Sequence, residues 1–296
     1  MDPRAAQRLS RLALAFAVLV GVTETLIVLG ALVRAHEAGL ACPDWPLCFG
    51  EFIPAFDLKV AFEYSHRVLA GSVSLAFATL AVLAWRDPAT GAATRRWIVV
   101  GAVLLVVQVL LGALTVWKLL ASWTVTSHLL TGNASALCVL FAALSLRETA
   151  RGAGATPVPA GVRNAVAFVA ALLLLQMVLG GLVSSQFAGM ACPLWPTCNG
   201  EIWFPSLRGN VGLHLVHRWN GTLLAVALLA LAWIGRRTPG LARLLLLAAA
   251  LGVAQTVVGI ANVLLAIPVE VTGLHSALAA ALVLTVGSAT RRSLQS

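Results

Sequence analysis

The chain has 296 residues, of which 60% are hydrophobic and only 10% charged, and its formal net charge is +9. So few charges cannot cover the surface of a soluble domain of this size, and a mean hydropathy of +0.93 points the same way. The basic excess is not a nucleic-acid footprint, because the arginines gather at the ends of apolar runs rather than along one polar face.

Eight apolar runs are long enough, at about 20 residues each, to cross a hydrocarbon core of ~30 Å. They occupy 12–33, 61–85, 97–117, 121–146, 163–185, 211–234, 241–265 and 269–290. The first has the look of a cleavable leader. Its segment "VLGALVRAHEAGLAC" (28–42) returns deep in the chain as "VLGGLVSSQFAGMAC" (178–192), however, and a discarded leader has no reason to match a mature helix. It is therefore read as structure. Arg4, Arg8 and Arg11 precede the first run; Arg86, Arg95 and Arg96 follow the second; Arg147, Arg151 and Arg163 follow the fourth. Arg236, Arg237 and Arg243 follow the sixth, and Arg291 and Arg292 the eighth, so fourteen of the twenty basic residues share one side. Only Asp2, Asp87 and Glu148 oppose them there. By the positive-inside rule both termini are expected in the cytoplasm of a multi-pass cell-membrane protein.

A repeat organises the runs. "ACPDWPLCFGE" (41–51) recurs as "ACPLWPTCNGE" (191–201), so Cys42 and Cys48 map onto Cys192 and Cys198. Likewise His66-Arg67 maps onto His217-Arg218, Gln108 and Gly112 onto Gln255 and Gly259, and His128 onto His275. Each half then carries four helices, and an even number returns the chain to its starting side. The expected fold is an all-α polytopic membrane protein made of two four-helix bundles, residues 1–150 and 151–296, related by a pseudo-twofold axis along the membrane normal. "RETARGAGATPVPAG" (147–161) is the expected linker.

That topology puts both cysteine loops on the outer, oxidising face, where disulfides Cys42–Cys48 and Cys192–Cys198 can persist. Each bracket reads as a structural staple, with a redox or exchange role open for the first. Zinc suits the spacing poorly, since C-x₂₋₄-C is the usual arrangement. Cys138, inside the fourth run and without a counterpart, reads as a small buried hydrophobe.

Of six histidines, His66, His128, His217 and His275 recur at matched positions, five to seven residues from the outer ends of helices two, four, six and eight. At 1.5 Å per residue that is a common depth of roughly 8–11 Å. Ionisable groups inside a membrane are functional hypotheses by default. Two histidines at one level on different helices of a bundle suit axial ligation of a haem. Zinc or copper is the rival, with few of the carboxylate or thiolate companions it usually takes. "EYSHR" (63–67) and "HLVHR" (214–218) differ one turn before the ligand candidate: Glu63 stands where the other half has His214. Glu63 reads as a proton relay at a haem edge, or as a complement to the helix N-terminus. His214 reads as a partner for a propionate or water, or as interface lining. Arg67 and Arg218 either pair with haem propionates or reach to headgroups. The asymmetry suggests two haem sites with different jobs.

Together "EYSHR", "SHLLTG" (127–132), "HLVHR", "LHSALA" (274–279) and "CPDWPLC" resemble the haem A synthase family over essentially the whole chain. The resemblance implies oxidation of a ring methyl of haem O to a formyl group, giving haem A for terminal oxidases. It implies that His217 and His275 hold a resident haem b, that His66 and His128 hold the substrate haem, and that Glu63 serves the oxidation. It also implies that Cys42 and Cys48 act in activity or haem transfer. "RAHEAGLAC" departs from the family pattern at His36 and Glu37. No dinucleotide fingerprint is present, so the expected partners are haem O, a haem O synthase, a separate electron donor and the bilayer, with homo-oligomerisation open. A di-haem electron-transfer cytochrome is the alternative function. A thiol–disulfide oxidoreductase or a transporter built from parallel repeats fits less well.

Overall fold

With no water in a bilayer core, each spanning segment must satisfy its own backbone polar groups, and a helix does so. The computed structural model describes residues 1–152, 154, 156–203 and 205–295. Its helices are α1 (Pro3–Ala35), α2 (Leu58–Arg86), α3 (Ala92–Trp117), α4 (Ser122–Arg151), α5 (Ala160–Ser185), α6 (Gly209–Ile234), α7 (Ala242–Leu264) and α8 (Val269–Leu294). All eight are long and apolar enough to cross a membrane. Local chemistry sets several ends. The Asp57 carboxylate accepts from the backbone N–H of Lys59 and Val60, at 2.9 and 3.2 Å, and so starts α2. Proline stands immediately before α5 and α8. The expected linker is shorter than 147–161, because α4 continues helically to Arg151; residues 153 and 155 of that stretch lie outside the described residues.

Hydroxyls within the helices donate back to their own chain. Thr23, Ser74, Thr256, Ser276 and Thr285 each reach the carbonyl four residues earlier. No polar side chain of this set needs a second helix to be satisfied in hydrocarbon.

The chain packs as two compact units, 1–117 with 131–155, and 118–130 with 156–296. In the first, α1 packs on α2 and α2 on α3. Phe16, Phe77, Ala84 and Ile98 are buried there, and Arg8 pairs with Asp87 at 2.9 Å. In the second, α5 packs on α6, α6 on α7, α7 on α8, and α5 closes back on α8. Leu172, Leu173, Leu224, Leu228, Leu245 and Ala248 form buried core between those four helices. Large apolar side chains such as Leu14, Leu75, Val103 and Leu246 stand exposed along the helices, as lipid-facing positions do.

Candidate functional site

The two cysteine loops are built alike and held alike. Cys42 and Cys48 lie at disulfide distance, with S–S 2.04 Å, and Cys192 and Cys198 at 2.05 Å. The peptide bonds Trp45–Pro46 and Trp195–Pro196 are both cis. In the first loop, Glu63 and Arg67 sit one turn apart on α2 and form a buried ion pair, Arg67 Nη2 to Glu63 Oε1 at 2.5 Å. The other carboxylate oxygen accepts the Cys42 backbone N–H at 2.8 Å. Arg67 also donates to the carbonyls of Asp44 and Leu47, both at 2.6 Å, and of Cys42 at 3.3 Å. The loop is therefore clamped to the helix that carries His66.

The second loop repeats this with one substitution. Arg218 donates to the carbonyls of Leu194 at 2.9 Å, Thr197 at 3.5 Å and Cys192. His214 occupies the place of Glu63: its Nδ1 lies 3.4 Å from the Cys192 N–H, and its Nε2 lies 3.1 Å from Arg218 Nε. A neutral imidazole accepts at one ring nitrogen only, whereas a carboxylate accepts at both oxygens together. The first clamp can satisfy both donors at once. The second cannot.

Asp44 caps the first loop internally, accepting from the N–H of Phe49 at 2.7 Å and of Gly50 at 2.8 Å. Phe49 and Gly50 have φ of +57° and +73°, the left-handed region in which a glycine is unstrained. The Gly50 N–H above all, with that of Phe49, holds the Asp44 carboxyl below the ordinary aspartate range. The matched position in the other loop is Leu194.

Glycines set the histidines. A Cβ built at Gly30 on α1 would meet His66 Cε1 at 3.0 Å; at Gly180 on α5 it would meet His217 at 3.3 Å; at Gly259 on α7 it would meet His275 at 3.1 Å. Each imidazole thus lies directly against a neighbouring helix backbone. Gln176 Nε2 stands 3.2 and 3.4 Å from the two ring nitrogens of His217. Asn220 fixes that amide by donating to Gln176 Oε1 at 2.8 Å and to the Leu172 carbonyl at 3.1 Å. Gln255 Nε2 lies 3.2 Å from His275 Nε2, while His275 Nδ1 is buried with no hydrogen-bond partner.

His217 on α6 and His275 on α8 belong to helices that are both flanked by α5 and α7, so they occupy diagonal corners of one ring of four helices. They lie eight and six residues from their helix starts, about 12 and 9 Å along the axis. Among the described residues no three His, Cys, Asp or Glu side chains gather as a bare metal ion requires. A haem brings four equatorial nitrogens of its own and asks the protein for two axial ligands. Two half-buried histidines against backbone glycines fit that demand. His66 lies on α2 beside Gly30, and His128 lies six residues into α4.

The sequence reading did not assign roles to Gln176, Asn220, Gly30 or Gly180. A signal was present: glutamine precedes glycine by four residues at 108–112, 176–180 and 255–259, on three helices that each precede a histidine helix. On α1 the pattern breaks, with Leu26 in the glutamine position. Nor did the sequence show that Arg67 and Arg218 are engaged by their loops. His36 and Glu37 end α1: His36 stacks on Phe62 with centroids 4.1 Å apart, and Glu37 turns the chain at φ +53°.

A family model described as "Cytochrome oxidase assembly protein" (COX15-CtaA) matches residues 11–61 and 54–286. The chain is 33% identical, over 72% of its length and 72% of the relative, to a protein of Halalkalibacterium halodurans named "Heme A synthase". It is 34% identical to a protein of that name from Symbiobacterium thermophilum, with 71% of each chain covered. A third, from Shewanella oneidensis, is 30% identical across 94% of this chain and 93% of its own.

Proposed function

The chain belongs to the COX15-CtaA family of cytochrome oxidase assembly proteins, and from that membership we propose its reaction: oxidation of a ring methyl of haem O to the formyl group of haem A. It is an oxidoreductase acting on haem, with eight membrane-spanning helices. The observation that carries the division of labour is the Glu63/His214 difference between two otherwise matching clamps. A pair of sites doing one job has no use for it.

The second unit would hold the resident cofactor, a haem b, through His217 and His275. When bound, that haem supplies one-electron redox chemistry. Gln176, fixed by Asn220, orients the His217 ring, and Gln255 does the same for His275. Gly180 and Gly259 let both imidazoles lie flush against neighbouring backbone. His66 and His128 are the corresponding ligands for the substrate haem, by their matched places in the repeat.

Turning a methyl into a formyl group replaces two C–H bonds by one C=O; with water as the oxygen source it releases four protons and four electrons, and the electrons must pass to a separate acceptor. Glu63 is the carboxylate placed one turn from His66 to receive or relay a proton. Arg67 and the Cys42 N–H fix its position, so the same contacts that close the loop orient the relay. We place the cysteine loops on the outer face of the cell membrane, each covering its pocket, with both termini cytoplasmic. Cys192–Cys198 staples a lid over a permanent cofactor, while Cys42–Cys48 covers the site that must exchange its occupant. Haem O is delivered by its synthase, and a separate partner handles the electrons.

The test is acid–acetone extraction and mass analysis of haems from the purified protein, made in cells that supply haem O. Haem b together with haem A or its hydroxymethyl precursor is the expected result. Haem b alone, with haem O available, would replace this reading by an electron-transfer cytochrome.

A further inference from the structure

Three basic residues of the first unit stand near the helix ends that carry its cysteine loop: Arg34, Lys59 and Arg67. Arg67 is taken up by Glu63 and by the carbonyls of Cys42, Asp44 and Leu47. Lys59 is exposed in the first turn of α2 and lies 3.9 Å from Glu37. Helix direction accounts for both. A helical side chain leans toward the N-terminus of its own helix. α2 starts at the loop, so Lys59 and Arg67 lean up toward it. α1 ends at the loop, so Arg34 leans the other way, back along its helix.

What lies in that direction is the histidine level. Arg34 follows Gly30 by four residues, so the two share one face of α1, about 6 Å apart along the axis. His66 lies against that face, its Cε1 3.0 Å from where a Gly30 Cβ would stand. Arg34 itself is half-buried. The second unit keeps the glycine and drops the cation. "VLGALVR" (28–34) returns as "VLGGLVS" (178–184), so Gly180 meets His217 in the same way while Ser184 holds the place of Arg34. A haem offers two propionates, and carboxylates are costly in hydrocarbon, so that edge of the macrocycle belongs on the loop side of the histidines. A guanidinium presents two parallel N–H donors to such a group, and partial burial leaves the pair less screened than in water.

We propose that Arg34 is the propionate anchor of the substrate haem, recognising porphyrin carboxylate in the first unit where Arg67 is already engaged. This rests on the reading of haem O as substrate and of His66 as its ligand. The serine at 184 follows from the division of labour. A resident haem is retained by its iron ligands, whereas one that must arrive and leave gains from a charge that draws it in. By holding the carboxylate edge, Arg34 also sets which way round the macrocycle enters.

The experiment uses full-length protein carrying its resident haem, in nanodiscs, titrated separately with haem O and with haem O dimethyl ester and followed by absorbance. Esterification removes the carboxylates and leaves iron, ring and tail alone. The parent should bind haem O at least about tenfold more tightly than the ester. Arg34→Gln should lose about that factor for haem O and shift the ester by less than about twofold, so the discrimination disappears. Arg34→Lys keeps the charge without the fork and decides the matter if the glutamine variant does not fold. It should bind haem O about threefold or more weakly with the ester unmoved. In either folded variant, equal weakening of both ligands would make Arg34 a structural residue, and unchanged haem O affinity would leave it a headgroup contact; each overturns the proposal. A parent that binds neither ligand would remove the substrate assignment, and the anchor with it.

Discussion

Glu63 and His214 carry the difference between two otherwise matching machines. A carboxylate can take the Cys42 N–H and the Arg67 guanidinium together, and Glu63 does so at 2.8 and 2.5 Å. Glu63→His rebuilds the arrangement of the second unit, so the loop should stay closed and substrate haem should still bind. Extracted hydroxymethyl- and formyl-haem should nevertheless fall about 100-fold or more, the scale of a lost acid–base group. Retained product with histidine at position 63 would make Glu63 a clamp and nothing else. Arg67→Ala tests the clamp itself. It leaves a buried carboxylate uncompensated and three loop carbonyls without their donor, a loss of about 3–5 kcal/mol read as a lower thermal midpoint. Arg8→Ala removes an ion pair whose arginine is half exposed, and should leave the thermal midpoint almost unmoved. The Glu63/His214 difference is legible in the sequence because the two pentapeptides align. The clamp is not, because Arg67 reaches carbonyls 20 to 25 residues away, and that proximity exists only once the loop has folded.

At the scale of elements, the two loops share a ring and a clamp but not a cap. Asp44 holds Phe49 and Gly50 in the first, and Leu194 stands in its place in the second. The folded carboxyl lies below its ordinary range, so its contribution is present above the unfolded value of about 3.9 and is lost as pH falls through the folded value. Amide exchange should therefore show the first loop losing protection at Phe49 and Gly50 on acidification below about pH 4. The second loop, with no such carboxylate, should not respond there; a parallel loss in both loops would assign the effect to the membrane domain instead. The helix contacts make their own prediction. Gly259→Ala puts a methyl 3.1 Å from His275 and must push the ring aside, so the low-spin spectrum expected of haem b held as proposed by His217 and His275 should weaken. The helices were readable as apolar runs to within about five residues at every end but the start of α1; the largest of the other differences are the start of α3 and the last turn of α4. There "RETAR" extends the helix beyond the hydrocarbon, since arginine, glutamate and alanine are good helix formers whatever their hydropathy. The glycine contacts were hidden because a single sequence says which helices are apolar, not which faces meet.

For the whole molecule, the repeat and the arginine distribution do most of what can be done without coordinates. The closing of α5 onto α8 is different: hydropathy counts crossings but carries no order around a ring, so that contact had to be seen. Orientation remains a matter of charge. Under the proposed orientation, the fourteen arginines at one set of helix ends face the cytoplasm and the cysteine loops lie on the other side. The same proposed orientation would let two disulfides survive, because a cytoplasmic loop would be kept reduced. Ile53, 81% exposed beside the first loop, and Arg237, exposed in the turn after α6, report the two faces. A membrane-impermeant maleimide should label Ile53→Cys in intact spheroplasts and Arg237→Cys only in inverted vesicles. Cys138 is buried and should stay silent in both. The opposite labelling would place Cys42–Cys48 and Cys192–Cys198 in a reducing compartment, open both rings, and leave Glu63 and His214 clamping loops with no covalent frame to hold. Haem exchange at the proposed outer mouth would fail with them, since the proposed function puts lid, relay and staple on one face.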